Sequence, residues 1–438
     1  MLKTLRDAFK IKDIRGKLLY TFMMLVVIRV GSQLPVPGAN RDYFANWFAS
    51  QQGNGAFNFF SAFTGGSFER MSILALSITP YITSSIIMEL LSIAIPALEE
   101  MHRDGEDGRK KIRTITRYLT VGLALFESTA MAIGFGRSGL LQQYNFLNVI
   151  TVITALTAGS AFLMWVGEQI TEKGVGNGIS IVLLINIISR VPQDLTTLYS
   201  QFVHGKTLAR GALALVIILA VIVLTIILVI VLNDAVRKIP VQYAKKMQGR
   251  RMVGGQSSNI PLKVNTAGVI PVIFASSLMS IPQIITSFTG RNPGGVGGKI
   301  LGMLNQNNWF DFRNPVNSIG LILYIVLIVF FAYFYTSITF NPIEVADNLK
   351  KQGGFIPGIR PGKPTSDYLS SVLGYIIFIG AIGLTIVVVI PIFFNGVFNA
   401  SVSFGGTSII IIVSVIIETL KQIESQMQVR NYKGFLSE

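Results

Sequence analysis

The sequence contains no cysteine, only two histidines and few charged residues. Without cysteine the chain can form no disulfide, no thiolate nucleophile and no cysteine-ligated metal site. Charged residues make up 13% of the 438 residues, whereas a soluble globular domain carries about 25%. Hydrophobic residues make up 51%. This composition excludes an ordinary soluble domain and favours a protein that lies largely in a membrane.

Apolar runs close to the length that crosses a bilayer as a helix, about 20 residues, recur along the chain. We predict ten spans, with both chain ends on the same side of the membrane. They lie at about 18–35, 70–95, 115–135, 147–168, 177–191, 211–233, 266–288, 317–340, 369–393 and 405–421.

The segment Phe162–Ile181 joins two of these spans and is not itself a span. It contains Glu168, Glu172 and Lys173, followed by a glycine-rich stretch. A charge at the centre of a membrane helix costs about 2.5–3.5 kcal/mol on insertion scales. The pattern therefore predicts a helix that reaches the membrane surface, a tight turn and a second helix that returns.

Basic residues are concentrated in alternate gaps between the spans. The net charge is +15, and 27 of the 37 basic residues fall in the amino-terminal segment, in every second gap and in the tail. Cytoplasmic loops carry this excess of Lys and Arg. We therefore predict a plasma (inner) membrane protein with both termini in the cytoplasm.

Ten spans divide into two halves of five, and an odd number per half gives the halves opposite orientations in the membrane. This is the arrangement of an inverted repeat, which places functional groups at the midplane between the halves. The prediction rests on topology alone. The predicted divisions are an amino-terminal half at 1–191, an external connector at 192–210, a carboxy-terminal half at 211–421 and a cytoplasmic tail at 422–438.

Sequence motifs for soluble catalytic sites are missing. The chain has no HExxH, no GxxxxGK[ST] and no GxSxG, so we predict no enzymatic activity, no metal site and no cofactor. Few ionisable residues lie within spans, which disfavours a proton- or sodium-coupled carrier. An ion-coupled secondary transporter of a small solute with an inverted-repeat fold remains the alternative function, and a membrane-embedded enzyme is a second, weaker one.

Five longer blocks carry a resemblance that covers nearly the whole chain. They are MWVGEQITEKGVGNGIS within 162–181, LSITPYITSSIIMELL at 76–91, LKVNTAGVIPVIFASSL at 262–278, FNPIEVADNLKKQGGFIPGIRPG at 340–362 and FGGTS at 404–408. In the sequence, order and spacing of these blocks, the chain resembles the SecY family, the channel-forming subunits of the bacterial Sec protein translocon.

The resemblance implies an all-α polytopic membrane protein, with ten transmembrane helices in two inverted pseudo-symmetric halves around a central hourglass pore. It implies a channel that passes unfolded secretory polypeptides and releases transmembrane segments sideways into lipid. The driving force would come from a bound ATPase motor or a ribosome. The implied partners are the small membrane subunits SecE and SecG, the motor SecA, the ribosome, signal sequences and membrane lipid.

Aliphatic residues four apart lie on one helix face, and three predicted spans show such pairs. A ring of aliphatic side chains at a narrow neck blocks water and ions by dewetting. Spacing alone leaves open that these residues face lipid or the core. The resemblance places the pore ring on Ile78, Ile82, Ile179, Leu183, Ile273 and Ile411.

The aromatic segment Ala56–Gly66 is too short to cross a bilayer. The residues alone allow an interfacial helix or an external loop. The resemblance implies a plug that folds back into the outer funnel and moves aside for a substrate. Its predicted residues are Phe57, Phe59, Phe60 and Phe63, with Gly65 and Gly66 as the hinge.

The second and seventh spans carry many small and hydroxyl side chains. Hydroxyl bonds between membrane helices are worth about 0.6–2 kcal/mol each, so such a contact can hold and still open. Ordinary small-residue packing is the alternative. The resemblance makes these two helices a lateral gate with the residues Thr79, Thr83, Ser84, Val269, Ser276 and Ser277.

Two polar loops, 234–263 and 342–366, carry many of the basic residues. Anchoring to acidic lipid is one explanation. The resemblance implies cytoplasmic loops that dock the ribosome, through charge on its RNA phosphates, or the motor. The predicted contact residues are Arg250, Arg251, Lys350, Lys351 and Arg360.

Overall fold

The computed structural model is built from long helices, with one at each of the ten predicted spans. It describes residues 2–50, 61, 63–136, 139, 141–204, 208–243, 246–248, 251–253, 257–289, 295–310, 315–398 and 406–434. The helices are α1 (Leu2–Lys10), α2 (Lys12–Gly31), α3 (Arg41–Ser50), α4 (Thr79–Ala94), α5 (Pro96–Arg103), α6 (Gly105–Phe135), α7 (Phe146–Lys173), α8 (Gly178–Leu198), α9 (Leu208–Asp234), α10 (Ile270–Thr289), α11 (Val296–Leu304), α12 (Ile319–Thr339), α13 (Pro342–Lys351), α14 (Lys363–Phe398) and α15 (Gly406–Gly434).

Within the described ranges, six helical stretches are long and apolar enough to cross a membrane, and these contain α6, α7, α8, α9, α12 and α14. The other four predicted spans coincide with α2, α4, α10 and α15. The prediction of a polytopic helical membrane protein is confirmed, and the helix positions are consistent with ten spans.

The predicted helical hairpin around the glycine-rich turn is confirmed. Helix α7 ends at Lys173 and α8 begins at Gly178. The side chain of Asn177 caps α8 by accepting a hydrogen bond from the backbone N–H of Ile179 at 3.1 Å. An Asn at this position satisfies one of the free donors of the first helical turn. The charged end of α7 is held by an ion pair, in which Glu168 Oε1 lies 2.7 Å from Arg117 Nε of α6.

The second predicted span differs from the structure at its amino-terminal end. The predicted span begins at about residue 70, but residues 65–78 form a series of turns and α4 begins only at Thr79. Met71 and Ser77 have positive φ angles of 45° and 54°, which a right-handed helix does not allow. Part of this backbone bonds to the chain after α2, since Ile73 N donates to Leu34 O at 2.9 Å. Hydropathy could not reveal these turns because the segment is as apolar as a helix.

The predicted connector at 192–210 is helical over much of its length. Helix α8 continues through Pro192 to Leu198, and one π-helical turn follows at Tyr199–Val203. Neighbouring helices can satisfy the backbone groups that a proline frees inside a membrane helix.

The two basic loops meet in a small antiparallel sheet that the sequence analysis did not predict. Its strand order is β4–β1–β5, and a separate hairpin pairs β2 with β3. Gln242 of β1 pairs with Phe355 of β5, so the 234–263 and 342–366 loops form one unit. The strands are β1 (Val236–Tyr243), β2 (Lys246–Gln248), β3 (Arg251–Val253), β4 (Ser257–Lys263) and β5 (Gly354–Phe355).

Three large apolar clusters hold the membrane part together. One lies in the amino-terminal half around Phe44 and Phe135, and another lies in the carboxy-terminal half around Trp309 and Tyr324. The third cluster contains residues of both halves, with members from α2, α4, α7, α8, α10 and α15. This central cluster contains the candidate site.

Candidate functional site: the central aliphatic cluster

The structure brings all six predicted ring residues into the central cluster. Four of them are buried: Ile78, Leu183, Ile273 and Ile411, each at most 8% exposed. Ile82 and Ile179 are half-buried and pack against these four. The six side chains come from α4 and the residue before it, α8, α10 and α15. Aliphatic residues of both halves therefore meet at one place, as a pore ring requires.

Two glycines allow the close approach that brings Ile78 and Ile179 together. A Cβ on Gly178 would overlap the carbonyl oxygen of Gly167, so α7 and α8 touch backbone to backbone at their shared end. A Cβ on Gly167 would lie 2.7 Å from Ile179 Cδ1 and 3.6 Å from Ile78 Cδ1. The two isoleucines thus lie side by side over a glycine surface, and a larger residue at 167 would push them apart.

Polar side chains of α7 and α8 fix the backbone that precedes Ile78. Asn186 Nδ2 donates to Ser77 Oγ at 2.9 Å, and Ser160 Oγ donates to the carbonyl oxygen of Ser77 at 3.2 Å. All three residues are at most 2% exposed. Non-helical backbone at membrane depth persists only where protein satisfies its polar groups. Sequence reasoning missed Asn186 and Ser160; the available signal was an asparagine within an otherwise apolar run.

The predicted plug lies only partly within the described residues. Phe57, Phe59 and Phe60 lie outside them. Phe63 is 6% exposed and belongs to the central cluster. The predicted hinge glycines, Gly65 and Gly66, have φ angles of +63° and +78°, a conformation that glycine adopts without strain.

Hydroxyl groups of the predicted lateral gate bond within their own helix or to α12. Thr83 Oγ1 donates to Thr79 O at 3.1 Å, and Ser84 Oγ donates to Pro80 O at 2.7 Å. Ser276 Oγ shares a 2.8 Å hydrogen bond with the hydroxyl of Tyr324. These bonds differ from the expected pattern of bonds between α4 and α10, because a backbone carbonyl four residues back is always within reach of a helical hydroxyl.

Two further predicted gate residues are Val269, just before α10, and Ser277 within α10. Val269 packs against the central cluster next to the ring residues, and Ser277 is half-buried. The gate residues themselves remain a prediction.

Three basic residues of the predicted docking surface, Lys350, Lys351 and Arg360, are exposed. Lys350 and Lys351 end α13, and Arg360 lies in the turn after β5. The carbonyl oxygen of Arg360 accepts a 2.8 Å hydrogen bond from Thr365 Oγ1, which fixes the turn and leaves the guanidinium in solvent. Arg251 lies in β3, and Arg250 lies outside the described residues.

A charged cavity of about 1030 Å³ lies beside this surface, between the ends of α4 and α6 and helix α13. Glu89, Glu99 and Glu344 line it together with Arg109 and Lys351. In the part of the chain that the structure describes, no group of three or more His, Asp or Glu residues could hold a metal ion.

Comparisons with known proteins agree with this architecture. The SecY family model matches residues 72–420. The protein translocase subunit SecY of Streptomyces galbus is 44% identical over 451 aligned residues, and the match covers 100% of both chains. The Bacillus subtilis (strain 168) protein of the same name is 42% identical over 448 residues, again over 100% of both.

Two solved structures have the same fold. The structure of a protein conducting channel superposes with a TM-score of 0.62 at 19% identity, over 94% of this chain and 93% of the other. Sec61 in the canine ribosome-channel complex superposes with a TM-score of 0.58 at 18% identity, over 94% and 93% of the two chains. Because the family model and the full-length relatives agree, the chain belongs to the SecY family.

Proposed function

We infer that the chain is the pore-forming subunit of a protein translocase, which conducts unfolded secretory polypeptides across the membrane and releases transmembrane segments into lipid. Family membership supports this function over the ion-coupled transporter. The observation that carries the residue-level proposal is the convergence of six aliphatic ring residues from both halves.

The ring suits this task because aliphatic side chains offer no hydrogen bonds. A narrow apolar neck excludes water and ions by dewetting, and flexible side chains still yield to a sliding chain. The ring needs no catalytic group. We propose that the energy comes from a bound motor or ribosome and that the chain itself catalyses no reaction.

The decisive test uses the absence of cysteine. A single cysteine replaces Ile273, and a secretory precursor with one cysteine is stalled partway across. A disulfide between the two is expected only when motor and precursor are both present. The matched control is Leu278→Cys on the same helix, because Leu278 is 48% exposed whereas Ile273 is 8% exposed. Crosslinking at 278 but not at 82, 273 or 411, in a preparation that translocates, would place the pore elsewhere.

The plug and the lateral gate complete the proposal. Residues 56–66 close the funnel on one side of the ring, and α4 and α10 part to open the channel toward lipid. Burial of Phe63 in the central cluster supports the plug. Deletion of 57–64 is expected to increase ion leak through the resting channel and to relax precursor selectivity; unchanged leak and selectivity would refute the plug.

The basic unit formed by the two paired loops is the proposed docking surface for motor or ribosome. Exposure of Lys350, Lys351 and Arg360 supports it, as does the similarity to Sec61 in a ribosome-channel complex. Arg360→Glu is expected to abolish motor-driven transport in a folded protein. Lys363→Glu is the matched control, since it reverses one exposed charge three residues away. Equal transport by the two variants would exclude a specific role for Arg360.

Small membrane subunits of the SecE and SecG type are the further proposed partners.

The chain is a multi-pass membrane protein, and the positive-inside rule supports cytoplasmic termini. Topology reporters fused at residues 205 and 300 are expected to lie on the non-cytoplasmic side of the membrane. A cytoplasmic signal from either would overturn the orientation, and with it the division into inverted halves.

A further inference from the structure

A mostly buried ion pair joins the irregular segment 65–78 to helix α8. Arg190 Nη2 of α8 lies 2.6 Å from Glu69 Oε1, and the two side chains are only 10% and 18% exposed. The neighbouring cation, Arg70, donates from Nη1 to Gln33 Oε1 at 2.6 Å. The ion pair of Glu69 thus joins it to a residue more than a hundred positions away in the sequence.

The contact extends beyond these two residues in both directions. Ser61 Oγ donates to Glu69 Oε1 at 3.0 Å, so the carboxylate also holds the chain on the amino-terminal side of the hinge glycines. Asp194, one turn further along α8, places its Oδ1 4.0 Å from Arg190 Nε. Glu69 is thus the point at which residues before and after the hinge are tied to α8.

The hinge itself lies directly against this face of α8. A Cβ on Gly66 would lie 3.7 Å from Arg190 Nη1 and 3.9 Å from Glu69 Oε2. Ser189 Oγ donates to Gly65 O at 3.5 Å. Asn186, Ser189 and Arg190 lie on one helical face, and this face binds the segment from Gly65 to Ser77.

An ion pair of this kind indicates that Glu69 and Arg190 fix the position of the segment on α8 rather than raise the overall stability of the protein. Desolvation of two charges offsets most of their attraction, whereas removal of one partner leaves the other buried and unpaired at a large cost. Moving the segment away from α8 separates the two charges. The pair therefore disfavours small displacements and permits a complete release in which water reaches both groups.

We propose that Glu69 and Arg190 form a latch that holds residues 65–77 on α8 and so keeps the channel closed. The proposal rests on the channel function inferred above and adds residues that determine its gating. Ile78 of the ring directly follows the latched segment, so release of the latch frees one wall of the ring.

The test uses a single reporter cysteine, Ser67→Cys, in the cysteine-free chain assembled in its native membrane. Ser67 lies inside the latched segment and is 2% exposed. In the parent, a water-soluble maleimide should react slowly with this thiol. Glu69→Gln or Arg190→Gln should speed the reaction by about tenfold or more and increase ion leak through the purified channel in vesicles. Arg190→Lys keeps the charge but not the fork of donors that faces both Glu69 and Asp194, so its labelling rate should fall between those of the parent and the Gln variants.

The matched control is a second cross-helix ion pair, also with a 2.6 Å separation. Lys421 and Asp234 join α15 to α9, and their side chains are 52% and 47% exposed. Asp234→Asn should leave labelling of the reporter and ion leak at the parent values, because exposed pairs contribute little.

Equal labelling rates in the parent and both Gln variants would overturn the latch and leave the channel function untouched. Faster labelling without added ion leak would show that the segment moves without gating the pore, which also overturns the proposal. The crosslink at Ile273 tests the channel function separately. The two Gln variants remove opposite partners of the pair, so where one does not accumulate, the labelling rate and ion leak of the other against the parent still decide the proposal.

Discussion

Both candidate gate helices follow a non-helical segment, but the two segments are held in different ways. Residues 65–78 precede α4 and residues 264–269 precede α10. The first is anchored by a buried ion pair and by Asn186. The second is anchored by Asn265, whose Nδ2 donates to Asn233 Oδ1 of α9 at 2.9 Å.

Their glycines show the same contrast. Gly65 and Gly268 have nearly the same φ angle, +63° and +62°. A Cβ on Gly65 would lie 2.7 Å from the carbonyl oxygen of Asn186, whereas a Cβ on Gly268 would have no heavy atom within 4 Å. One glycine meets a conformational and a packing requirement, and the other meets a conformational requirement alone. The amino-terminal segment is therefore the more tightly specified of the two.

The largest difference is expected between Gly65→Ala and Gly268→Ala. Both place a side chain in a conformation that costs about 1–2 kcal/mol for an L-residue, but only Gly65→Ala also forces a backbone shift. We expect Gly65→Ala to lower the free energy of unfolding by more than about 3 kcal/mol and Gly268→Ala by about 1 kcal/mol. Thermal unfolding midpoints of the two purified variants, followed by size-exclusion chromatography, measure the difference. Equal shifts would mean that α8 moves away without cost.

A smaller difference is expected between the two asparagine anchors. Asn186→Ala removes a bond that only buried groups could replace, at a cost of about 1–3 kcal/mol. In Asn265→Ala, Asn233 keeps its 2.7 Å bond to Ser414 of α15, so the cost should be nearer 0.6 kcal/mol, about the average for a hydrogen bond between membrane helices.

Double-mutant cycles isolate the interaction energy of each asparagine with its hydrogen-bond partner from the other effects of the substitutions. Asn186→Ala with Ser77→Ala should show a coupling energy of about 1 kcal/mol, and Asn265→Ala with Asn233→Ala about half of that. A larger coupling for the second pair would reverse the ranking of the two segments.

The smallest effect is expected where α10 meets α12. Tyr324→Phe removes the hydroxyl that bonds Ser276 but keeps the ring that packs on Trp309 at a centroid distance of 5.3 Å. The loss should be about 0.6 kcal/mol, read from the same thermal assay. Because Ser276 is bonded to α12 and not to α4, Tyr324→Phe should leave the leak of the resting channel unchanged; a leaky variant would show that α12 holds the gate shut.

The sequence was sufficient where the physical signal is local. Apolar length located the helices, and the charges of Glu168 and Glu172 with the glycines after them located the hairpin between α7 and α8. The six ring residues required the family resemblance, because an isoleucine facing a pore and one facing lipid look alike in a single sequence.

What the sequence could not provide was set by contacts distant along the chain. Residues 65–78 are apolar enough for a helix, and their turns are stabilised by residues distant in the sequence, among them Asn186, Ser160 and Arg190 of other helices. The pairing of β1 with β5 is similar, because more than a hundred residues separate the two strands. The hydroxyls of Thr83 and Ser84 satisfied a backbone carbonyl of their own helix rather than the expected neighbour.

The pairing of β1 with β5 has a mechanical consequence. Gln242 and Tyr243 follow the end of α9, and their partners Phe355 and Gly354 precede the start of α14. A push applied to either loop is therefore shared by two membrane helices rather than borne by one. Separation of the two strands would let each helix move independently, so the strand pair couples any force applied to these loops to both α9 and α14.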